Sequence, residues 1–278
     1  MLTPSTLRCG ESWGFYNSVA KYTAEEVAII RECGRLLAHI LRDVIAEVRP
    51  GVQTSTLDAM AREGMQAAGG VPSFLGYTAG GAVPFPSALC VSINNEVVHG
   101  PALPSRELHD GDIVGLDIGM RYPAKDGFCT DMAMTVPVGQ LKEADRQLLE
   151  VTREALQLGV AAALPGATVG DISRAIEKRV KAAGYGIVRE LVGHGVGRQV
   201  HEAPEVPNFF VRGPIAAAVL QPGLVIAIEP MVNAGGASIR TLADNWTIAT
   251  RDGSRAAHFE QTIVISEHGP AEIVTPFL

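Results

Sequence analysis

Residues Gly111–Val138 read GDIVGLDIGMRYPAKDGFCTDMAMTVPV, and they set two aspartates where a folded chain has little use for a bare charge. Asp117 lies inside the apolar run Ile113–Met120, and Asp131 lies inside Cys129–Val136. Both runs read as strands, joined by a turn that holds Pro123, Lys125, Asp126 and Gly127. A strand this apolar is normally covered on both faces, and an ionised carboxylate within it costs on the order of several kcal/mol unless a partner compensates it. Something positive is expected beside these two acids.

Working outward, Thr23-Ala-Glu-Glu26 has the form of a capping box and opens a helix. Val27, Ile30, Leu37, Leu41 and Val44 keep its period until Pro50-Gly51 closes it. A second helix spans Thr54–Ala68, a third Leu141–Ala163 and a fourth Val169–Ala183, with Pro165-Gly166 between the last two. Gly69–Ser87 is a Gly/Pro-rich loop, Leu89–Ile93 is a strand followed by the turn Asn94-Asn95, and the last third alternates strands with turns.

A repeat underlies this order. Shifting the chain by 115 residues lays Pro50-Gly51 on Pro165-Gly166 and Ala67-Ala68-Gly69 on Ala182-Ala183-Gly184. A shift of 112 lays Gly111–Asp117 on Gly223–Glu229, so that Asp117 falls on Glu229. Each half then offers one carboxylate at the end of an apolar strand. The expectation is two α+β halves, about 21–138 and 139–278, related by a pseudo-twofold axis with a site between them.

The other polar residues divide less clearly. Glu229 stands in the apolar VIAIEP, whereas Glu260, in HFEQTIVI, taken alone reads as an outward residue of an amphipathic strand. His194 stands in GHGVG; the glycines argue against a helix, and a lone histidine there reads first as a satisfied structural group. His201 follows seven residues on, a spacing that would pair the two rings on a helix, but the glycines spoil that geometry. No strand-loop-helix unit with a distal acid follows, which disfavours a dinucleotide loop. Asp117, Asp131, His194, Glu229 and Glu260 together make four carboxylates and one imidazole. Four charges in an apolar cleft are balanced by two divalent ions, and this donor set suits Co, Mn, Fe or Zn. Such a pair lowers the pKa of a water and polarises a carbonyl, and aminopeptidases are among the standard two-metal cases.

Composition bounds the reading. With 278 residues, 47% hydrophobic and 19% charged, the chain can bury a large core as one domain or as two closely packed halves. A net charge of -7 gives no global attraction to nucleic acid or anionic membrane. Four scattered cysteines without CxxC spacing suit a reducing compartment, and the first residues carry no signal-peptide core, so a cytoplasmic protein is expected.

The segments SINNEVVHG, GDIVGLDIG, DGFCTDMAMT, ELVGHGVGRQVHEAP, PGLVIAIEPMVN, DNWTIATRDG and FEQTIVI, in that order, resemble the signature segments of type I methionine aminopeptidases. The resemblance covers about residues 23 to 275. It implies an α+β pita-bread fold, antiparallel sheet covered by helices, as a single catalytic domain over 21–278 behind an arm at 1–20. It also implies Asp117, Asp131, His194, Glu229 and Glu260 as ligands of two divalent ions, with Asp131 and Glu260 bridging and Glu229 handling the proton of the attacking water. His99 and His201 would flank the scissile peptide, and Phe74, Tyr77, Cys90, Val200 and Trp246 would surround the methionine side chain. The implied activity is removal of the initiator methionine from nascent proteins when the second residue is small, by a monomer that meets nascent N-termini, with the ribosome as a candidate contact. A prolidase-like enzyme is the enzymatic alternative, although only 116 residues precede Asp117. A non-catalytic peptide-binding relative is the other, although all five ligand positions are kept.

The chain departs from the family pattern in places. The 14-residue interval from Asp117 to Asp131 is a few residues long, with the excess in the turn at 121–127, and the loop 78–86 is long as well. Val200 stands where Phe is common, Phe74 where a smaller residue is, and Gln261 where His is frequent. These changes bear on pocket shape and leave the ligands in place.

Overall fold

Thr23 caps the first helix as its sequence requires. Its hydroxyl accepts from the Glu26 N–H at 3.3 Å, and the Glu26 carboxylate accepts from the Thr23 N–H at 2.9 Å. The computed structural model describes residues 19–78 and 83–277. All but the last two residues of the expected 1–20 arm, and the centre of the 78–86 loop, lie outside the described residues.

The elements in chain order are α1 (Ala24–Ala46), α2 (Thr54–Ala67), β1 (Val71–Pro72), β2 (Leu89–Ile93), β3 (Glu96–Val98), β4 (Ile113–Tyr122) and β5 (Phe128–Pro137). The second half gives α3 (Glu143–Ala162), α4 (Val169–Ala182), β6 (Gly186–Ile187), β7 (Gly193–Gly195), β8 (Glu202–Val206), β9 (Val225–Ile228) and β10 (Met231–Asn233). It ends with β11 (Ile239–Thr241), β12 (Ile248–Thr250), β13 (Ala256–Val264) and β14 (Glu272–Ile273). The limits of α2, moved on by the repeat of 115, fall on those of α4.

The main sheet runs β1-β4-β5-β13-β9-β7-β8, with β2 added to β4 and both β10 and β14 to β13; β11, β12 and β3 form a second, smaller sheet. Every pairing is antiparallel, and the halves join where β5 meets β13 through Phe259↔Met134, Glu260↔Ala133 and Gln261↔Met132. Alternation then decides the layers. Leu116, Ile118 and Met120 of β4 pack with Leu37, Leu41, Leu57 and Met65 of α1 and α2. Ile226, Ile228 and Ile263 of β9 and β13 pack with Leu148, Leu156, Ile172 and Ile176 of α3 and α4. One face of the sheet is thus spent on helices, as an α+β pita-bread arrangement demands, and the residues between these face the other way.

Two expectations change. β13 is buried along its whole length, because it lies between β5 and β9, so Glu260 is no outward residue of an amphipathic strand. Asp117 sits in the middle of β4 rather than at its end, with five strand residues following it. The long interval to Asp131 leaves no slip: β4 and β5 pair over ten consecutive positions from Ile113↔Pro137 to Tyr122↔Phe128, and the extra residues go into the turn, where Arg121 donates to the Gly127 carbonyl at 2.9 Å.

Candidate metal centre

Directly opposed residues of antiparallel strands share a face, so the registers predict which side chains meet. Cys90 faces Asp117, Asp117 faces Ala133, and Ala133 faces Glu260. One step beyond Gln261↔Ile228, Glu229 faces Glu260. The neighbouring row on the same face runs Gly119, Asp131, Thr262, Ala227, His194, and Thr262 ties it together by accepting from the Asp131 N–H at 3.0 Å and donating to the Asp131 carbonyl at 2.7 Å. All five expected donors therefore stand on two adjacent rows across the seam, separated by Ala133, Gly119 and Ala227, which are too small to fill the space between them.

The side chains converge accordingly. Asp131, His194 and Glu260 each offer one ligand atom, all within 4.8 Å of one another. Glu229 joins them through its Oε1, 3.4 Å from His194 Nε2. The Asp117 and Asp131 carboxyls lie close enough to perturb one another, and the Asp117 charge helps to raise Asp131. Burial pushes Asp117 up to about 6 and Glu229 up to about 8. Burial, reinforced by the neighbouring carboxylates, holds Asp131 and Glu260 well above the usual range. Asp117 Oδ1, Asp131 Oδ1 and Glu260 Oε1 are buried with no hydrogen-bond partner. Acids this well packed, this mutually repulsive and this poorly partnered fit a cation, and a divalent one suits hard oxygen donors with one nitrogen.

His99 and His201 are the two expected site histidines outside the ligand set. His99 follows β3 in a left-handed conformation, φ 58°, unusual for a residue with a side chain. The His201 ring lies 4.4 Å from that of His194 between centroids, and its Nδ1 is 2.8 Å from the Tyr77 hydroxyl. The glycines that rule out a helix do not keep these rings apart: β7 turns into β8 through an irregular register between His194 and Gly195, which brings them edge to face. Burial draws His99 and His201 down to about 4 and His194 to about 3, so all three imidazoles are neutral at pH 7.

Phe74, Cys90 and Val200 belong to one buried apolar cluster, with Tyr77 and Trp246 packed against it. The Phe74 ring lies on Gly119, where an added Cβ would come within 2.9 Å of it, so this apolar cluster rests on the row that carries Asp131. Two residues of the site escape sequence reading. Phe85 is 3% exposed and meets Trp246 edge to face at 5.2 Å, but it lies in a Gly/Pro-rich loop with no periodicity to mark it. His258 stands two residues before Glu260, and the period of a strand is enough to put it on the same face.

Residues 28–267 match the model of metallopeptidase family M24. The chain is 44% identical over 248 residues to methionine aminopeptidase 1 of Bacillus subtilis, covering 89% of this chain and 95% of that protein. To the methionine aminopeptidase of Clostridium perfringens it is 43% identical over 253 residues, covering 90% and 96%. The solved methionine aminopeptidase of Thermotoga maritima superposes with a TM-score of 0.86 at 38% identity, covering 93% of this chain and 99% of that one. The prolidase of Pyrococcus horikoshii, with a TM-score of 0.73 at 22% identity, shares the fold, and this chain spans 64% of its length.

Proposed function

The chain belongs to metallopeptidase family M24, and we propose from its centre how it works as an aminopeptidase that removes the initiator methionine from nascent proteins. Membership of a metallopeptidase family means use of divalent metal. The observation that carries the reading is the convergence of Asp131, His194 and Glu260 within 4.8 Å, beside carboxylate oxygens that have no other partner.

Asp117, Asp131, His194, Glu229 and Glu260 would hold two ions, Co, Mn, Fe or Zn, with Asp131 and Glu260 as the proposed shared ligands. When bound, the ions acidify a water and polarise the scissile carbonyl. Glu229 takes the proton of the attacking water and delivers it to the departing amine, as a carboxylate placed beside the reacting atoms can. His201 and His99 act as neutral hydrogen-bonding groups. With Tyr77 donating to Nδ1, His201 carries its proton on Nε2 and presents a donor to the oxygen on which negative charge develops.

Phe74, Tyr77, Cys90, Val200 and Trp246, with Phe85 added, form an apolar pocket with aromatic edges that suits an unbranched thioether. A small second residue is the expected preference. Residues 21–278 act as one catalytic domain, and a cytoplasmic monomer that meets nascent chains near the ribosome fits the role. The three described cysteines are free and buried, as in a reducing compartment, and no helix among the described residues is long and apolar enough to cross a membrane.

The test is metal add-back to the stripped protein, each ion in turn, with Met-Ala-Ser, Met-Pro and Xaa-Pro peptides as substrates. Release of methionine ahead of a small residue is expected. Faster cleavage of Xaa-Pro bonds would move the assignment to the prolidases.

A further inference from the structure

His258 is 3% exposed, on the centre's own face of β13, and its Nε2 has no hydrogen-bond partner. The same atom lies 3.5 Å from Glu229 Oε2 and 4.0 Å from Glu260 Oε2. Glu229 is thereby bracketed, with His194 Nε2 3.4 Å from one oxygen and His258 Nε2 3.5 Å from the other. The ring turns toward the carboxylate row: Thr135, on the neighbouring strand, is engaged with the His258 backbone, accepting from its N–H and donating to its carbonyl at 2.9 Å, while Glu229 and Glu260 lie within 4.0 Å of the ring nitrogen. Donor atoms bound to one ion at about 2.0–2.2 Å stand roughly 3–4 Å from one another. Both His258 separations fall in that interval.

We propose that His258 is a sixth protein ligand, giving the centre a second imidazole on the side of Glu229 away from His194. The inference rests on the reading of the site as a metal centre. A donor set of four carboxylates and two imidazoles is richer in nitrogen than the one read from sequence. It shifts preference away from manganese and toward cobalt or zinc, which gain more from imidazole.

Histidine nitrogen coupling to bound Mn(II), read by pulsed electron paramagnetic resonance, tests the ligation without reference to activity. His194→Ala removes the one imidazole of the five-residue set. Loaded with Mn(II), this variant should still show a histidine nitrogen, and His194→Ala/His258→Gln should lose it. Wild-type protein should show two coupled nitrogens and His258→Gln one. Equilibrium dialysis gives the second measure: His258→Gln should weaken Co(II) binding by about tenfold or more and Mn(II) binding less, so that the Co/Mn preference ratio falls. A single coupled nitrogen in the wild type, with the preference ratio unchanged in His258→Gln, overturns the proposal while leaving the metal centre intact. Failure of the wild type to bind any divalent ion would overturn the metal reading itself.

Discussion

The two halves of the sheet carry the same kind of strand and use it differently. In the first, β4 and β5 pair without interruption over ten positions, and the acids are staggered: Asp117 faces Ala133 while Asp131 faces Gly119. In the second, β9 and β10 keep one register along β13 but break between Ile228 and Met231, where Glu229 faces Glu260 directly. The first half leaves Asp117 Oδ1 and Asp131 Oδ1 buried with no hydrogen-bond partner. The second half sets imidazoles at both oxygens of Glu229. The helices obey a shift of 115 and the acids a shift of 112, so the scaffold repeats while the site departs from it by three residues. Symmetry supplies the facing surface, and the differences in register bring the four acids of the two halves together on it.

That comparison breaks first at the seam. Asp131→Ala, from the first half, and Glu260→Ala, from the second, should each abolish turnover and lower the bound metal stoichiometry if, as proposed, each is shared between ions. Metal analysis alongside peptide hydrolysis checks this, and near-normal turnover with two ions in either variant would place the shared ligands elsewhere. The outer histidines come next, one from each half. His99→Ala and His201→Ala should lower kcat by ~10²-fold or more with metal content intact. Loss of metal in one of them alone would make it a ligand and the halves less alike than described.

The pocket gives a smaller effect. Val200→Phe should overfill it, costing about 1–3 kcal/mol in fit, and adding Phe74→Cys should restore kcat/KM. The double-mutant cycle reads the coupling; simply additive effects would mean that the two side chains do not share the space.

The smallest effect is on stability against pH. Carboxyls raised to about 6 and 8 bind protons in the folded chain at pH values where the unfolded chain has released them. Stability of the metal-free protein therefore falls as pH rises through that range. His99, His194 and His201, held at about 4, 3 and 4, act in the opposite sense, but only below their ordinary 6.5. From pH 6.5 to 8 the carboxyls act alone, so thermal denaturation of the stripped protein should show Tm dropping by a few degrees, and saturating metal should remove the drop. Glu229→Gln should reduce the slope, with Asp131 and Glu260, also held well above the usual carboxylate range, supplying the rest.

Much of this was legible in the sequence for definite reasons. Charges inside apolar runs have few explanations, which exposed Asp117, Asp131 and Glu229. Capping residues and Pro-Gly breaks fixed the helices to within a residue or two. Glu260 was read less well because a single strand cannot say whether it is central or at an edge, and here the neighbours on both sides bury it. Phe85 had no period to announce it. His258 did have one, since His258 and Glu260 are two apart, but the significance of that spacing depends on Glu229 arriving opposite, and that is a property of the register between β9, β10 and β13.

The placement of β13 bears also on how the protein is born. It is synthesised after every other strand of the site, yet it pairs at once with β5 and β9 in the middle of the sheet. Until it emerges, both of those strands present open edges, the condition that most invites wrong partners. Its contacts with β5 close a loop of more than a hundred residues, from Asp131 to Glu260, which is a slow step for any chain. Glu260 reaches Asp131 and His194 only then, so the cluster of the three does not exist before β13 has emerged. An enzyme whose substrates are chains still being made can complete its own candidate centre only once β13 has been synthesised.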